Sequence, residues 1–230
     1  MQKQYGKMIC ISGVDFSGKS TAIELLANYL KSKGANPIIA KQPGCTWVGN
    51  KIRSIVKDPE SQISEEVRSL LFVADNMAFH QEVAKPLIDT NNWVLCDRNN
   101  FVDSLVYQVV DGVRPERLKK MFETVESPRL IDHIIVLDIN WETRQERKAI
   151  RDVTNSEADF GERNREHFEK LRSAYFGLKD NHVLQQYVNL DSINDSDGEG
   201  PLKFKIPISY IDANCSGEEI LEKIKTTLKI

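Results

Sequence analysis

Long apolar runs, paired cysteines and an excess of charge of one sign are all missing from this sequence. No stretch approaches the roughly 18 consecutive apolar residues that span a bilayer, and the first residues, MQKQYGK, lack the apolar core and cleavage site of a signal peptide. We therefore predict a protein without membrane segments. With 31 Lys and Arg against 34 Asp and Glu, the formal net charge is −3, which argues against a protein that binds a nucleic-acid polymer through bulk positive charge.

The cysteines lack the spacing of a metal site or of a disulfide framework. Cys10, Cys45, Cys96 and Cys215 are scattered singly with no CxxC pair, whereas zinc sites and disulfide frameworks need paired spacings. The histidines form no HExxH motif. Because free thiols are typical of a reducing compartment, we predict a cytoplasmic protein.

Short apolar runs are present, and they alternate with helical patterns. With 40% hydrophobic and 28% charged residues, the composition is typical of a globular protein, and we predict one domain over residues 1–230. Mostly apolar runs predict strands that are buried on both faces of a sheet. These predicted strands are Lys7–Ser12, Asn36–Lys41, Trp93–Asp97, His133–Asp138 and Ile208–Asp212.

The helical patterns lie between these strands. Apolar residues recur at three-and-four spacing from Ala22 to Leu30, and Gly34 offers a C-terminal stop. Ser64 is the expected N-cap of a helix over 64–89, and further helices are predicted over about 141–151, 159–178 and 216–228. The alternation predicts an α/β fold in three layers, α/β/α, with a five-stranded parallel sheet. An acidic, glycine-rich stretch predicts an irregular surface insertion over 181–205.

The motif GVDFSGKST, residues 13–21, stands between the first strand and the first helix. It has the form G-x-x-x-x-G-K-[ST] in the strand–loop–helix setting of a phosphate-binding P-loop. The glycines let backbone amides turn toward phosphate oxygens, the lysine reaches the β- and γ-phosphates, and the following hydroxyl faces Mg²⁺. We predict a triphosphate site, which alone leaves a motor, a switch, a transporter subunit and a small-molecule kinase open. Its predicted ATP-binding residues are Gly13, Ser17, Gly18, Lys19, Ser20 and Thr21.

An Asp–Arg pair follows the third predicted strand. Because ligands of parallel sheets bind at the carboxyl ends of the strands, Asp97 and Arg98 are predicted to face the P-loop. Asp97 is the natural carboxylate for Mg²⁺, together with Ser20. A surface salt bridge is the alternative interpretation of this pair.

The match is not confined to the P-loop, because collinear motifs cover about 85% of the chain, and through them the sequence resembles the thymidylate kinases. These nucleoside-monophosphate kinases phosphorylate dTMP. The segments that carry the resemblance, besides GVDFSGKST, are KQPGCTWVGNKIR (41–53), LLFVADNMAFHQEVAKPLI (70–88), WVLCDR (93–98), SLVYQ (104–108), LDINWETRQERKAIRD (137–152) and YIDANCSGEEILEKI (210–224).

The resemblance implies roles for residues around the acceptor nucleotide. Asp15 is implied to lie near the acceptor's phosphate and sugar, and Arg98 is implied to hold the acceptor phosphate with the help of Arg53. Phe72 is implied to stack on the base, although a core position is its alternative. Tyr107 is implied to lie beneath the deoxyribose.

The resemblance also implies which residues contact the edge of the acceptor base and where a lid segment lies. Gln108 is implied to bind the pyrimidine edge beside Ser104, and the lid is placed at about 148–162. Three arginines lie in or beside this lid and can neutralise charge on the transferring phosphoryl group: Arg147, Arg151 and Arg163. Arg147 is also predicted to bind ATP. The predicted catalytic residues are Lys19, Arg98, Asp97, Asp15, Arg147 and Arg151.

Departures from the family pattern cluster around the acceptor. Asn76 stands where the family has a base-reading arginine and is retained as a substrate-binding candidate. Phe16 stands where some members carry a catalytic arginine, which moves that expectation to the lid arginines. Altered base preference is therefore a hypothesis of its own. The further departures are Lys41, Gln42, Cys45, Asn99 and Asp103.

We predict a Mg²⁺- and ATP-dependent kinase that phosphorylates a deoxypyrimidine monophosphate, most simply dTMP to dTDP. The partners implied by the resemblance are ATP, a deoxynucleoside monophosphate and a second copy of the chain, with the apolar faces of 64–89 and 100–110 as candidate dimer surfaces. A monomer that buries those faces internally is equally consistent. The alternatives in function are a related kinase for dCMP, dUMP, a 5-substituted dUMP or dGMP, and a non-catalytic nucleotide-binding module.

Overall fold

Five parallel strands form the centre of the part of the chain that the structure describes. This computed structural model describes residues 7–84, 86, 92–123, 131–154, 164–181, 184 and 206–230. The sheet order is β2-β3-β1-β4-β5, with parallel pairing throughout. The predicted parallel sheet is confirmed. Its strands are β1 (Lys7–Ser12), β2 (Pro37–Lys41), β3 (Trp93–Asp97), β4 (His133–Asp138) and β5 (Ile208–Asp212).

Burial differs between the central and the edge strands. Residues 8–12 of β1, 94–97 of β3 and 134–137 of β4 are buried without interruption, whereas β2 and β5 are buried only in part. A strand with no exposed side chain on either face must be covered on both faces. Helices therefore flank the sheet, as the predicted three-layer α/β/α architecture requires.

The helices match the sequence patterns in most places. A π-helical segment, His80–Ala84, continues the third helix, and a 3₁₀ turn, Leu178–Asp180, continues the eighth. The sequence analysis did not predict the helices over 47–56 and 115–122. The helices are α1 (Lys19–Ser32), α2 (Trp47–Val56), α3 (Glu65–Phe79), α4 (Asn100–Ser104), α5 (Tyr107–Val110), α6 (Pro115–Phe122), α7 (Trp141–Thr154), α8 (Arg165–Gly177) and α9 (Gly217–Leu228).

Helix ends follow the predicted capping signals. The Ser64 side chain accepts a hydrogen bond from the amide of Val67 at 3.3 Å, which confirms it as the N-cap of α3. Gly34 follows α1 with φ 81°, and its amide donates to the carbonyl of Lys31, so the left-handed residue ends the helix. Such caps satisfy backbone groups that the helix itself leaves unpaired.

Several predictions lie outside the described residues. Arg163, residues 155–162 of the predicted lid and most of the predicted insertion over 181–205 are among them. Within the described ranges, no helix has both the length and the apolar character that a bilayer crossing demands. The four cysteines are free thiols, as predicted.

Candidate active site

The P-loop leaves the carboxyl end of β1, the central strand, and leads directly into α1. A side chain at Gly13 is excluded because a Cβ there would lie 2.5 Å from the carbonyl oxygen of Leu137 and φ is 137°. The Lys19 ammonium donates to the carbonyls of Gly13 at 3.0 Å and Val14 at 2.7 Å. Its side chain is therefore turned over the loop, where phosphate oxygens are bound in proteins of this kind.

The predicted Mg²⁺ ligands are adjacent to each other. The Ser20 hydroxyl donates to Asp97 Oδ2 at 2.9 Å, and the Lys41 ammonium lies 4.0 Å from the same oxygen. The strand register explains this meeting, because Asp97 pairs with Ile11 two residues before the P-loop. One hydroxyl and one carboxylate fit Mg²⁺, which takes few protein oxygens and completes its shell with water and phosphate.

Arg98 lies between two carboxylates at the end of β3. Its guanidinium donates to Asp15 of the P-loop and, at 2.9 Å, to Asp103 Oδ1 of α4. The hydroxyl of Tyr107 accepts a further bond at 3.3 Å, and the guanidinium carbon lies 5.1 Å from the centre of that ring. The residue has φ 70°, with its amide bonded to the carbonyl of Ile11.

Asp15 and Arg98 shift each other's pKa. Burial opposes ionisation of Asp15, but Arg98 and then Lys19 outweigh it and lower the pKa of Asp15 to about 2. Burial likewise disfavours the charged form of Arg98, whereas Tyr107 and Asp15 raise its pKa well above the ordinary arginine value. The guanidinium is therefore charged throughout the accessible pH range.

Asp103 is a residue whose role the sequence analysis missed, although it noted the departure. Its Oδ1 accepts hydrogen bonds from Arg98 and from the Tyr175 hydroxyl, the latter at 2.5 Å. Its Oδ2 accepts from the Ser12 hydroxyl at 3.0 Å and from the Asn99 amide at 2.9 Å. One carboxylate thus joins β1, α4 and α8 to the arginine.

Residues of α2, α3 and α5 line the end of the cleft where the sequence predicts the acceptor nucleotide. Phe72 of α3 lines the cleft, as does Arg53 of α2, whose guanidinium donates to the carbonyl of Pro43 at 3.1 Å. Gln108 donates to Glu65 Oε2 at 3.3 Å, and Arg68 donates to the other oxygen of that carboxylate at the same distance. These polar side chains and the ring of Phe72 line the same cleft.

Asn76 is fully buried and is not among the residues that line the cleft. Its neighbour Asp75, also fully buried, accepts hydrogen bonds from the Gly44 amide at 3.0 Å, from Gln42 at 3.2 Å and from Asn100 at 2.6 Å. Burial raises the pKa of Asp75 to about 6, although these three donors act in the opposite direction.

Two arginines of α7 lie against the P-loop. Arg147 donates to the carbonyls of Ala213 at 2.6 Å, Cys215 at 2.9 Å and Phe16 at 3.3 Å. Burial lowers its pKa from the ordinary arginine value. The Arg151 guanidinium lies over the ring of Phe16, with 5.0 Å between its carbon and the ring centre.

A single cleft of about 850 Å³ joins these parts. Among the predicted site residues, Gly13, Ser17 and Asn76 do not line it. Those that do are Asp15, Gly18, Lys19, Ser20, Thr21, Arg53, Phe72, Asp97, Arg98, Ser104, Tyr107, Gln108, Arg147 and Arg151.

A parallel sheet of order 2-3-1-4-5 with a P-loop after its central strand defines a P-loop kinase fold. Comparison with known proteins narrows this class, because the sequence profile described as thymidylate kinase matches residues 11–194. The chain belongs to the thymidylate kinase family.

Curated relatives agree with the profile. A thymidylate kinase of Thermoanaerobacter sp. (strain X514) is 35% identical over 171 residues, which cover 72% of this chain and 83% of the relative. A thymidylate kinase of Caldicellulosiruptor saccharolyticus is 32% identical over 189 residues, or 81% of this chain and 88% of the relative. The similarity therefore extends over most of both chains and is not confined to the P-loop.

Proposed function

We propose that this chain transfers the γ-phosphoryl group of ATP to dTMP and so forms dTDP and ADP. The observation that carries the proposal is the position of Arg98, which lies between Asp15 of the P-loop and Asp103 on the acceptor side. A guanidinium is a planar donor suited to phosphate oxygens. It therefore can hold an acceptor phosphate beside the loop that holds the donor.

The reaction is an in-line displacement. An oxygen of the acceptor phosphate attacks the γ-phosphorus, and the bond from that phosphorus to the β–γ bridging oxygen breaks. Because this chemistry needs little covalent help from the protein, positioning and charge neutralisation are the main contributions. Lys19 and the P-loop bind the donor, Arg98 and Arg53 bind the acceptor phosphate, and Arg147 and Arg151 face the transferring group. Bound Mg²⁺, held by Ser20 and Asp97, would supply further neutralisation of phosphate charge.

The base would lie on Phe72, between the polar groups of Gln108 and Ser104. Support comes from the hydroxyl of Ser104, which is buried, borders the cleft and makes no hydrogen bond to any described residue. A buried hydroxyl without a partner is costly, so a bound ligand that supplies one is favoured. Tyr107 would pack against the sugar from the Arg98 side.

A coupled assay of ADP release with each deoxy- and ribonucleoside monophosphate tests the proposal. We expect the highest kcat/KM with dTMP, and the variant Lys19→Met controls for contaminating kinases. Preference for dCMP, dUMP, a 5-substituted dUMP or dGMP would support the related-kinase alternative. Tight ATP binding without turnover would support the non-catalytic module and contradict the proposal.

We also propose a cytoplasmic homodimer. The outer face of α3 exposes Val67 at 45% and Leu70 at 53%, and Ile55 of α2 is exposed at 45%. Apolar side chains exposed to this degree favour a covered surface. Residues 100–104 of the other candidate surface are buried within the chain, so α3 carries the proposal. Light scattering at micromolar concentration tests it, and a monomeric mass would contradict it.

A further inference from the structure

Four side chains form a stack in which aromatic rings alternate with guanidinium groups. The guanidinium carbon of Arg144 lies 5.2 Å from the ring centre of Trp141 and 5.2 Å from that of Phe16. Arg151 lies on Phe16 in turn, at 5.0 Å. We call these four residues the α7 stack. Phe16 is its only member from the P-loop, because the others belong to α7.

The inner end of the α7 stack is fixed. Arg144 is 2% exposed, and the ring of Trp141 packs edge-on against Phe168 of α8, with ring centres 5.3 Å apart. A buried guanidinium between two rings has few alternative rotamers. Phe16 is therefore held from behind by a rigid part of the fold.

The backbone of Phe16 is also fixed, and by a contact that does not involve its ring. Its φ is 64°, in the left-handed region, and its carbonyl accepts a hydrogen bond from Arg147. A change of the ring to another L-side chain keeps the backbone requirement the same. The functions of backbone and ring can thus be separated by substitution.

The outer end of the α7 stack faces the cleft, where Phe16 and Arg151 both line the wall beside the P-loop. A guanidinium can contact a ring through its face and hydrogen-bond through its in-plane N–H groups, a combination that suits arginine to phosphate oxygens. A long arginine side chain loses considerable rotamer freedom when it binds, and a ring that restricts it beforehand lowers that loss.

We infer that Phe16 is a positioning residue, whose ring holds Arg151 in the orientation that neutralises the transferring phosphoryl group. This inference rests on the proposed function, and it assigns a role to the P-loop side chain that touches the reaction only through Arg151. Lys19 and the P-loop amides, by contrast, are proposed to bind the donor directly.

Kinetics of two substitutions at position 16 test the inference. We expect Phe16→Leu to lower kcat about 10-fold while KM for ATP and for dTMP changes by less than about twofold, since the lost contact is a cation–π interaction. Phe16→Trp offers a larger π-face and is expected to keep kcat within about twofold of the unchanged protein. A loss in Phe16→Leu that appears in KM for ATP, or a failure of Phe16→Trp to retain kcat, would overturn the inference.

A double-mutant cycle separates positioning from general damage to the loop. Arg151→Ala is expected to lower kcat about 100-fold or more, and the pair Phe16→Leu with Arg151→Ala is expected to match Arg151→Ala alone within about twofold. Additive losses would overturn the inference. Phe176→Leu is the matched control, because Arg172 lies 5.8 Å from the Phe176 ring centre and neither residue lines the cleft, and kcat should stay within about twofold.

A spectroscopic measurement provides a readout that does not depend on turnover. The Arg151 Nε–H resonance should show a ring-current shift in the unchanged protein, lose it in Phe16→Leu and keep it in Phe16→Trp. The same chemical shift in all three proteins would overturn the contact itself. Absence of turnover in the unchanged protein would overturn the proposed function, whereas turnover with normal kcat in Phe16→Leu would overturn this inference alone.

Discussion

The donor end and the acceptor end of the cleft draw their residues from very different distances along the chain. The donor end is mainly the contiguous segment 13–21, joined by Asp97 through the pairing of β1 with β3. The acceptor end combines α2, α3, α4 and α5. Buried Asp75 joins α3 to α4 and to the loop before α2, and buried Asp103 joins α4 to β1 and to Arg98. A motif thus specifies the donor end, whereas tertiary packing specifies the acceptor end.

The two ends also differ in how their buried carboxylates are balanced. Asp15, beside the P-loop, is paired with Arg98, which together with Lys19 lowers its pKa to about 2. Asp75, on the acceptor side, is surrounded by neutral donors, and burial raises its pKa to about 6. The first carboxylate therefore favours the fold when ionised, and the second favours it when protonated.

The largest expected effect tests whether donor binding depends on the contiguous segment 13–21. Lys19→Met is expected to lower kcat/KM for ATP about 1,000-fold or more, because it removes the cation that reaches the β- and γ-phosphates. Initial rates at varied ATP concentration measure the effect. Lys33→Met, just beyond the other end of α1, is the control and should change the rate by less than about twofold. Comparable losses in both variants would contradict the assignment.

The next effect tests Asp103 as a junction of the acceptor end. In Asp103→Asn an amide N–H₂ replaces one oxygen and faces two of the present donors, so the free energy of unfolding should fall by about 3 kcal/mol. KM for dTMP should rise about 10-fold as Arg98 loses a partner. Urea unfolding and steady-state kinetics measure the two changes. Asp58→Asn, at an exposed turn, should stay within about 0.5 kcal/mol, and an equal loss there would contradict the junction role.

The pH dependence of stability sharpens the contrast between the two carboxylates. Unfolded Asp75 titrates at about 3.9, below its folded pKa of about 6, so the folded state binds more protons in between. The contribution of Asp75 to stability is fully present below about pH 4 and is lost as pH rises through about 6, by about 3 kcal/mol in total. Denaturant titrations at several pH values should show this slope in the unchanged protein and not in Asp75→Asn. Equal slopes in both proteins would refute the raised pKa.

The smallest effect concerns the loop between β2 and α2. Cys45 is exposed and has φ 60°, a left-handed conformation that costs energy for any residue with a Cβ. Cys45→Gly removes that cost, but glycine also makes the unfolded chain more flexible, which opposes folding. The net result should be a rise of about 0.5 kcal/mol in the free energy of unfolding. Cys45→Ala keeps the Cβ and should give no gain. Thermal unfolding of the two variants side by side would detect a reversed order.

The contrast between local motifs and tertiary packing also explains which features of the fold and of the site could be predicted from the sequence. Buried strands and the P-loop are local patterns, and the structure confirms the strands almost to the residue. The helix over 115–122 is short and strongly polar outside its buried Leu118 and Phe122, so its apolar signal is weak. The helix over 47–56 has a sequence signal in Thr46, a favourable N-cap residue. The structure shows this cap, because the Thr46 hydroxyl accepts a hydrogen bond from the Gly49 amide.

The residues that were missed at the site are those whose role depends on partners far along the chain. Asp103 lies 91 residues from Ser12 and 72 from Tyr175, and no spacing rule connects them. Asn76 was selected by its place in a motif, but α3 directs Phe72 to the cleft wall and leaves Asn76 buried. Residues four apart lie on the same face of a helix, so what separates Phe72 from Asn76 is the packing of other elements over that face, which no local pattern specifies.

The central place of β1 in the sheet affects which parts of the protein unfold locally and exchange amide hydrogens with solvent. Because β1 is hydrogen-bonded on both sides, to β3 and β4, the amide hydrogens of Ile9, Cys10 and Ile11 are expected to exchange with solvent only when the whole domain unfolds. The strand that carries the P-loop is thus the last to open. Local opening is expected at the peripheral helices, which lack this double pairing.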